Sequence, residues 1–310
     1  MEAANYDNPW VRDAESARRR LPGWLAALIG GIFAAAVLLG AGRLAPMAGP
    51  WISGVLHGVP APWPAIGADA ALDLLIFGPF IVVALIATRI EGRAAWRVEA
   101  HPWIAIAVGL AVGVVGFGAC AGVATLAGAV SAGAAPPLSS PLAGVFVGMA
   151  LVAFQSAAEE VFFRGWLQPV LCARWGPWLG LIATAMLFAG LHILGGARSP
   201  LAMLNLFLGG LMFGLLALRS GGLWAAATAH FAWNWTESGG LGMDPNPGLP
   251  STGALVDLDL HGSALWSGGA DTMNGSLAAS LVLVVIVATL TMLPASRSGP
   301  RAGRRSDPAP

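Results

Sequence analysis

The chain has 310 residues, of which 56% are hydrophobic and only 10% charged, with no net charge at pH 7. Soluble domains carry about 25% charged residues, and the mean hydropathy here is +0.72. A soluble globular fold is therefore excluded, and long apolar runs become the organising feature. All 16 basic residues are arginines, gathered at the two ends and in short gaps between apolar runs. They form no basic patch on a soluble domain, so no nucleic-acid partner is expected. Cys120 and Cys172 lie in or beside apolar runs; two such residues make no disulfide framework and read as small core residues.

In chain order, residues 1–22 read as a polar cytoplasmic tail ending in Arg18-Arg19-Arg20. The following apolar run is too long for a signal-peptide core and lacks a small-residue cleavage site, so it is read as the first span. Eight spans are expected near 23–42, 71–90, 103–129, 141–171, 177–195, 200–218, 222–236 and 276–294. Pro141 and Pro177 mark helix starts, where a missing N–H costs nothing. Residues 237–275, rich in Gly, Pro, Asp and Ser, read as an external loop, and 295–310 as a disordered cytoplasmic tail. The fold class is thus an all-α polytopic bundle occupying 23–294.

Arginine placement orients the bundle. With the N-terminus inside, the cytoplasmic segments hold Arg12, Arg18, Arg19, Arg20, Arg89, Arg93, Arg97, Arg174, Arg219, Arg297, Arg301, Arg304 and Arg305. The external segments hold only Arg43 and Arg198, and Arg164 falls inside a span. Both termini are expected in the cytoplasm, in a bacterial plasma membrane. No internal repeat supports a transporter of two matching halves.

Ionisable groups inside a bilayer are costly and mark function. The fourth span contains Glu159-Glu160-Val161-Phe162-Phe163-Arg164-Gly165, the fifth Phe188-Ala189-Gly190-Leu191-His192, the seventh His230-Phe231-Ala232-Trp233-Asn234. Glu160 and Arg164 are four apart, so they share a helix face and can pair as a structural clamp. Glu159 points about 100° away and has no built-in local partner. His230 and Asn234 project from one face together, and Phe188 reads as packing. Three helices can thus present one carboxylate, two imidazoles and one carboxamide to a common cavity. Such a set can take a proton from water and stabilise a growing oxyanion.

These motifs resemble those of the type II CAAX prenyl endopeptidase and bacteriocin-processing (CPBP, abortive-infection) family of intramembrane proteases. The family pattern is Glu-Glu-x-x-x-Arg, Phe-x-x-x-His and His-x-x-x-Asn, and the chain has all three in order within residues 140–236. The resemblance implies a helical bundle of about eight spans and an endopeptidase acting on a membrane-associated protein or peptide. It implies that Glu159 activates water, His192 helps hold it, and His230 and Asn234 form the oxyanion site. Glu160, Arg164 and Phe188 would support the site's shape. A metal-independent mechanism without cofactor is expected, because neither His–Glu spacing forms a compact ligand motif such as H-E-x-x-H, with zinc as the alternative. A catalytically silent scaffold or immunity protein is the alternative of a different class; a proton-coupled transporter would also place Glu and His in mid-membrane. The expected boundaries leave one tension. From Pro141 and Pro177, Glu159 and His192 lie about 27 Å and 22 Å from opposite faces of a core of about 30 Å, so their depths do not match.

Overall fold

The computed structural model describes residues 8–293; the tail arginines from Arg297 to Arg305 lie outside the described residues. Helices come in the order α1 (Pro9–Glu15), α2 (Gly23–Val55), α3 (Trp63–Glu91) and α4 (Pro102–Leu126). A short strand β1 (Val130–Ala132) follows, then α5 (Leu142–Glu160), a π-helical turn (Val161–Leu167) and α6 (Gln168–Trp175), all one continuous helix from α5 onward. The rest comprises α7 (Pro177–His192), α8 (Pro200–Ser220), α9 (Trp224–Trp235) with a second π turn (Thr236–Gly240), β2 (Leu258–Leu260), α10 (Ala264–Ser267), a 3₁₀ turn (Gly269–Gly275) and α11 (Leu277–Met292). All eight expected apolar segments are helical. Six are long and apolar enough to cross a membrane, whereas α7 is a shorter apolar helix and α9 has 12 residues.

The bundle is apolar on its outside as well as within. Trp24, Ile32, Leu74, Val115 and Val285 are each at least 60% exposed, as expected where lipid is the solvent. Small residues decide the closest helix contacts. Gly109 and Gly113 of α4 form a Gly-x-x-x-Gly pair against α9. A Cβ at Gly113 would lie 2.5 Å from the Ala229 carbonyl oxygen, and one at Gly109 2.4 Å from that of Ala225. Without a hydrophobic drive between helices in lipid, such backbone approach supplies the packing energy. It also sets the position of α9, which carries His230 and Asn234.

The ends of the bundle differ in charge. At one end, residues 8–22 are more than a loose tail. Asn8 caps α1 by accepting from the Trp10 and Val11 amides at 2.8 and 3.3 Å, and donates to the Leu218 carbonyl at 2.6 Å. Trp10, Val11 and Ala14 are buried. Arg174 donates to the Leu21 carbonyl, and the Arg18 amide to that of Glu91. Arg93 deserves its position: it pairs with Glu91 at 2.5 Å and donates to the carbonyls of Gly165 and Trp166 at 2.8 and 3.0 Å. Pro169 has no N–H, so the Gly165 carbonyl lacks its partner four residues on; the Arg93 guanidinium replaces it. Burial draws the Arg93 pKa below the usual arginine value, and the adjacent Glu91 carboxylate opposes that. Gly165 must be glycine here, because a Cβ would meet the Ala95 carbonyl oxygen at 2.5 Å.

At the other end, the segment 237–275, expected as an external loop, contains a π turn, a short strand, a four-residue helix and a 3₁₀ turn. β2 pairs antiparallel with β1, Val130 opposite Leu260. Asp257 accepts from the Ala135 amide at 2.7 Å, and Asp271 accepts from the Arg198 and Ser199 amides.

The α4–α9 contact gives the first test. Replacing Gly113 by Ala forces backbone apart in a packed interface, which costs about 1–3 kcal/mol. Gly118, whose added Cβ meets nothing within 4 Å, should accept the same change. Thermal melts of both variants in one detergent should show a loss for Gly113→Ala and none for Gly118→Ala.

Candidate functional site

Glu159 and Glu160 close α5 at the entry to the π turn. A π turn adds residues to the helical register, and such bulges occur often at functional sites. The two carboxylates diverge as consecutive helical residues must. Glu160 is fully buried, and its Oε1 accepts from Arg164 Nη1 at 2.7 Å and pairs with His230 Nδ1 at 2.9 Å. Arg164, also fully buried, donates a second hydrogen bond to the Gly210 carbonyl at 2.9 Å. Its guanidinium lies 4.9 Å from the Phe188 ring centroid and 5.5 Å from that of Phe213. Glu160 thus joins the fourth and seventh expected spans, a link that four-residue spacing alone did not reveal.

Glu159 instead lines a cavity of about 440 Å³. The same cavity is lined by His192, His230, Asn234 and Phe188. All four residues expected to carry chemistry therefore share one wall system, with Glu160 and Arg164 behind it. Glu159 is 7% exposed, and among the described residues its one hydrogen bond comes from Gln155 Nε2 at 3.4 Å. The His192 Nδ1 lies 2.8 Å from the Phe188 carbonyl oxygen. A carbonyl only accepts, so Nδ1 carries the proton, and in the neutral ring Nε2 keeps its lone pair. His230 is held by Glu160 through Nδ1 and stacks on Phe213, with centroids 4.4 Å apart and planes at 17°. Phe188 sits between the imidazoles, 4.7 Å from His192 and 6.0 Å from His230. It is a spacer that fixes both rings and covers Arg164, beyond the plain packing role expected of it.

The expected mismatch in depth disappears once both heights are taken from the turn at Gly176. Glu159 is 16 residues before Trp175, about 24 Å along the helix, and His192 is 15 residues after Pro177, about 22 Å. The two helices run antiparallel about Gly176, which has a positive φ of 85°. Gly180 lets them close, since a Cβ there would lie 2.3 Å from the Cys172 nitrogen. The mismatch came from counting depth from Pro141 as if the helix were no longer than the bilayer core. The continuous helix Leu142–Trp175 has 34 residues and, at about 51 Å, overshoots a core of about 30 Å.

Several cavity residues were not singled out by sequence. Gln155 precedes Glu159 by one turn. Asn205, mid-span and 2% exposed, donates to the Asn274 and Ser276 carbonyls at 2.8 Å and accepts from Ser280 at 2.6 Å, tying α8 to α11. Its signal was a lone carboxamide inside an apolar run. Phe213 has no sequence signal beyond its apolar helix. Glu237, Asp69, Asp73 and Asp244 also line the cavity. Among the described residues, no group of three or more His, Cys, Asp or Glu has an arrangement able to hold a metal ion. Cys120 and Cys172 are both free and buried, in keeping with a packing role.

Comparison with curated proteins and with solved structures finds no match. Residues 141–236 match the family model described as type II CAAX prenyl endopeptidase Rce1-like. That stretch runs from the N-terminal cap of α5 to the end of α9, and holds Glu159, Glu160, Arg164, Phe188, His192, His230 and Asn234. Between residues 141 and 236 the chain is therefore similar to the Rce1-like type II CAAX prenyl endopeptidase family.

Proposed function

We propose that the protein is an intramembrane endopeptidase that uses Glu159 as general base to hydrolyse a peptide bond in a membrane-associated protein or peptide. The observation carrying this reading is the shared cavity. It brings together Glu159, which has no ion pair among the described residues, the two imidazoles of His192 and His230 and the Asn234 carboxamide. Nε2 of His192 accepts a hydrogen bond from a water, which aims a lone pair of that water at the scissile carbonyl. Glu159 removes the water proton as the C–O bond forms. The carbonyl π electrons move to oxygen, and the Asn234 amide, which makes no hydrogen bond among the described residues, donates to that oxyanion. Glu160 stabilises a protonated His230, whose Nε2–H is a second donor. Glu159 then passes its proton to the leaving amine as the C–N bond breaks. In this reading Glu160 supports more than shape: it is the counter-ion of an oxyanion donor.

The reaction as written needs no metal. We also propose that the arginine-rich end, with α1, lies in the cytoplasm, following the positive-inside rule.

Three outcomes are expected. Glu159→Gln keeps size and hydrogen bonding but cannot take a proton. It should lower hydrolysis by at least about 100-fold while the melting temperature stays that of the parent. Comparative proteomics of membrane peptides from cells holding either form supplies the substrate and the readout. Near-normal processing by the variant would remove Glu159 from the role.

Arg164→Ala leaves the Glu160 charge buried with only His230 beside it, which costs about 3–5 kcal/mol. Glu160→Gln, Arg164→Met removes both charges at similar volume and should regain part of that stability, yet stay slow because His230 loses its counter-ion. Melts and turnover measured on both separate the two roles. An Arg164→Ala protein that melts like the parent would refute the clamp.

Exhaustive chelation should leave both turnover and melting temperature unchanged. Loss of turnover restored by one equivalent of Zn²⁺ would replace the general-base scheme with a metal one.

A further inference from the structure

Every helix around the cavity contributes only the part that lies away from the arginines. Arg89, Arg174 and Arg219 mark where α3, α6 and α8 stop. On α3 the lining residues are Asp69 and Asp73, in its first half. On α5 they run from Gly148 to Glu159 and end there. α7 contributes Phe188 and its last residue, His192, and α9 nothing before His230. Beneath Glu159 the interior is filled: Phe162, Phe163, Trp166, Leu167, Leu215 and Leu216 are each at most 3% exposed. Arg93 fastens this floor through the Gly165 and Trp166 carbonyls. Gln168 joins α6 to α8 by donating to the Gly214 carbonyl at 3.0 Å.

The opposite end reaches solvent, because Asp69, Asp244 and Pro245 line the cavity and are exposed. The rim there is held on α5 by close contacts. A Cβ at Gly148 would lie 2.6 Å from Thr252 Oγ1, and one at Gly144 2.7 Å from the Thr252 carbonyl oxygen. The Ala254 amide donates to the Ser140 hydroxyl at 3.1 Å. From Gly148 at this rim, the face of α5 runs about 16 Å down to Glu159. An extended chain rises about 3.3 Å per residue, so about five residues must enter unfolded to bring a bond to Glu159. A cavity of about 440 Å³ takes such a strand and not a folded domain.

Resting on the peptidase reading and on the cytoplasmic placement of the arginine-rich end, we propose that the substrate is an unfolded segment presented from the external face. The step that supplies it is translocation of that segment across the membrane. A cytoplasmic tail meets the packed arginine-rich end instead and is not a substrate.

The test reads the side from which the cavity is reached. Val152→Cys and Leu206→Cys put a thiol on two cavity walls, and Ser16→Cys puts one at the exposed end of α1. Cys120 and Cys172 are 0% and 2% exposed, so the parent protein gives the background. Each variant is checked against the parent by its melt, then treated with a membrane-impermeant maleimide in intact cells and in inverted vesicles. The cavity thiols should react in cells and not in inverted vesicles, and Ser16→Cys the reverse. Two walls are probed so that if one variant misfolds the other still decides. Cavity thiols that react only in inverted vesicles, from the same side as Ser16→Cys, or from neither side overturn the proposal. Cleavage sites lost from cells holding Glu159→Gln should map to external segments of membrane-associated proteins; sites in cytoplasmic segments overturn it as well. If the cavity thiols react from outside while Glu159→Gln loses no cleavage site, the peptidase reading fails and the external opening stands.

Discussion

The buried carboxylate of Glu160 is the constraint around which the bundle is arranged. A charge taken out of water must be met by charge and by hydrogen bonds, or its burial costs several kcal/mol. Glu160 finds Arg164 one turn along its own helix and His230 on α9. Arg164 in turn needs the Gly210 carbonyl on α8 and the faces of Phe188 and Phe213. One ion pair therefore fixes the mutual placement of α5, α7, α8 and α9. The neighbouring Glu159 has no such partner, and the same packing leaves it facing a cavity instead. Two adjacent glutamates thus acquire opposite surroundings from a single helical turn.

The packing that supports this arrangement relies on what side chains leave out. Gly109 and Gly113 let α9 approach α4, Gly165 admits the chain at Ala95, and Gly180 closes the α6–α7 hairpin. Arg93 then replaces the backbone donor that Pro169 lacks. These contacts lie on the helices that carry the cavity residues or on their direct neighbours, so positioning is distributed over the whole bundle.

The pairing of chemistry with helices was legible because the signals were local. Four-residue spacing put Glu160 beside Arg164, and rarity singled out His192 and His230. The helical apolar segments were legible from apolar runs, although six of the eight are long enough to cross a membrane and α2 continues to Val55 through Pro46 and Pro50, well past the expected end at residue 42. Depth was not legible, because a helix that overshoots the membrane gives no mark of where the bilayer begins. The Glu160–His230 contact joins residues 70 apart in sequence, and no periodicity reports on that. The docked N-terminal helix was hidden by its arginines, although Trp10, Val11 and Ala14 already had one-face spacing. The short elements within 237–275 were not legible for a similar reason: their order comes from caps such as Asp271 and from pairing with β1, and composition is blind to both.

The order in which Glu160 gains its partners bears on how the chain is made. Arg164 is on the same helix, so the segment entering the bilayer from the ribosome carries its own neutralising charge. Gly210 comes 46 residues after Arg164, and His230 comes 70 residues after Glu160. The helix can therefore be inserted before α8 and α9 exist, and docking of those later helices completes the coordination of the carboxylate. The site is therefore complete only after α9 has been synthesised, although the ion pair at its centre lies within one helix.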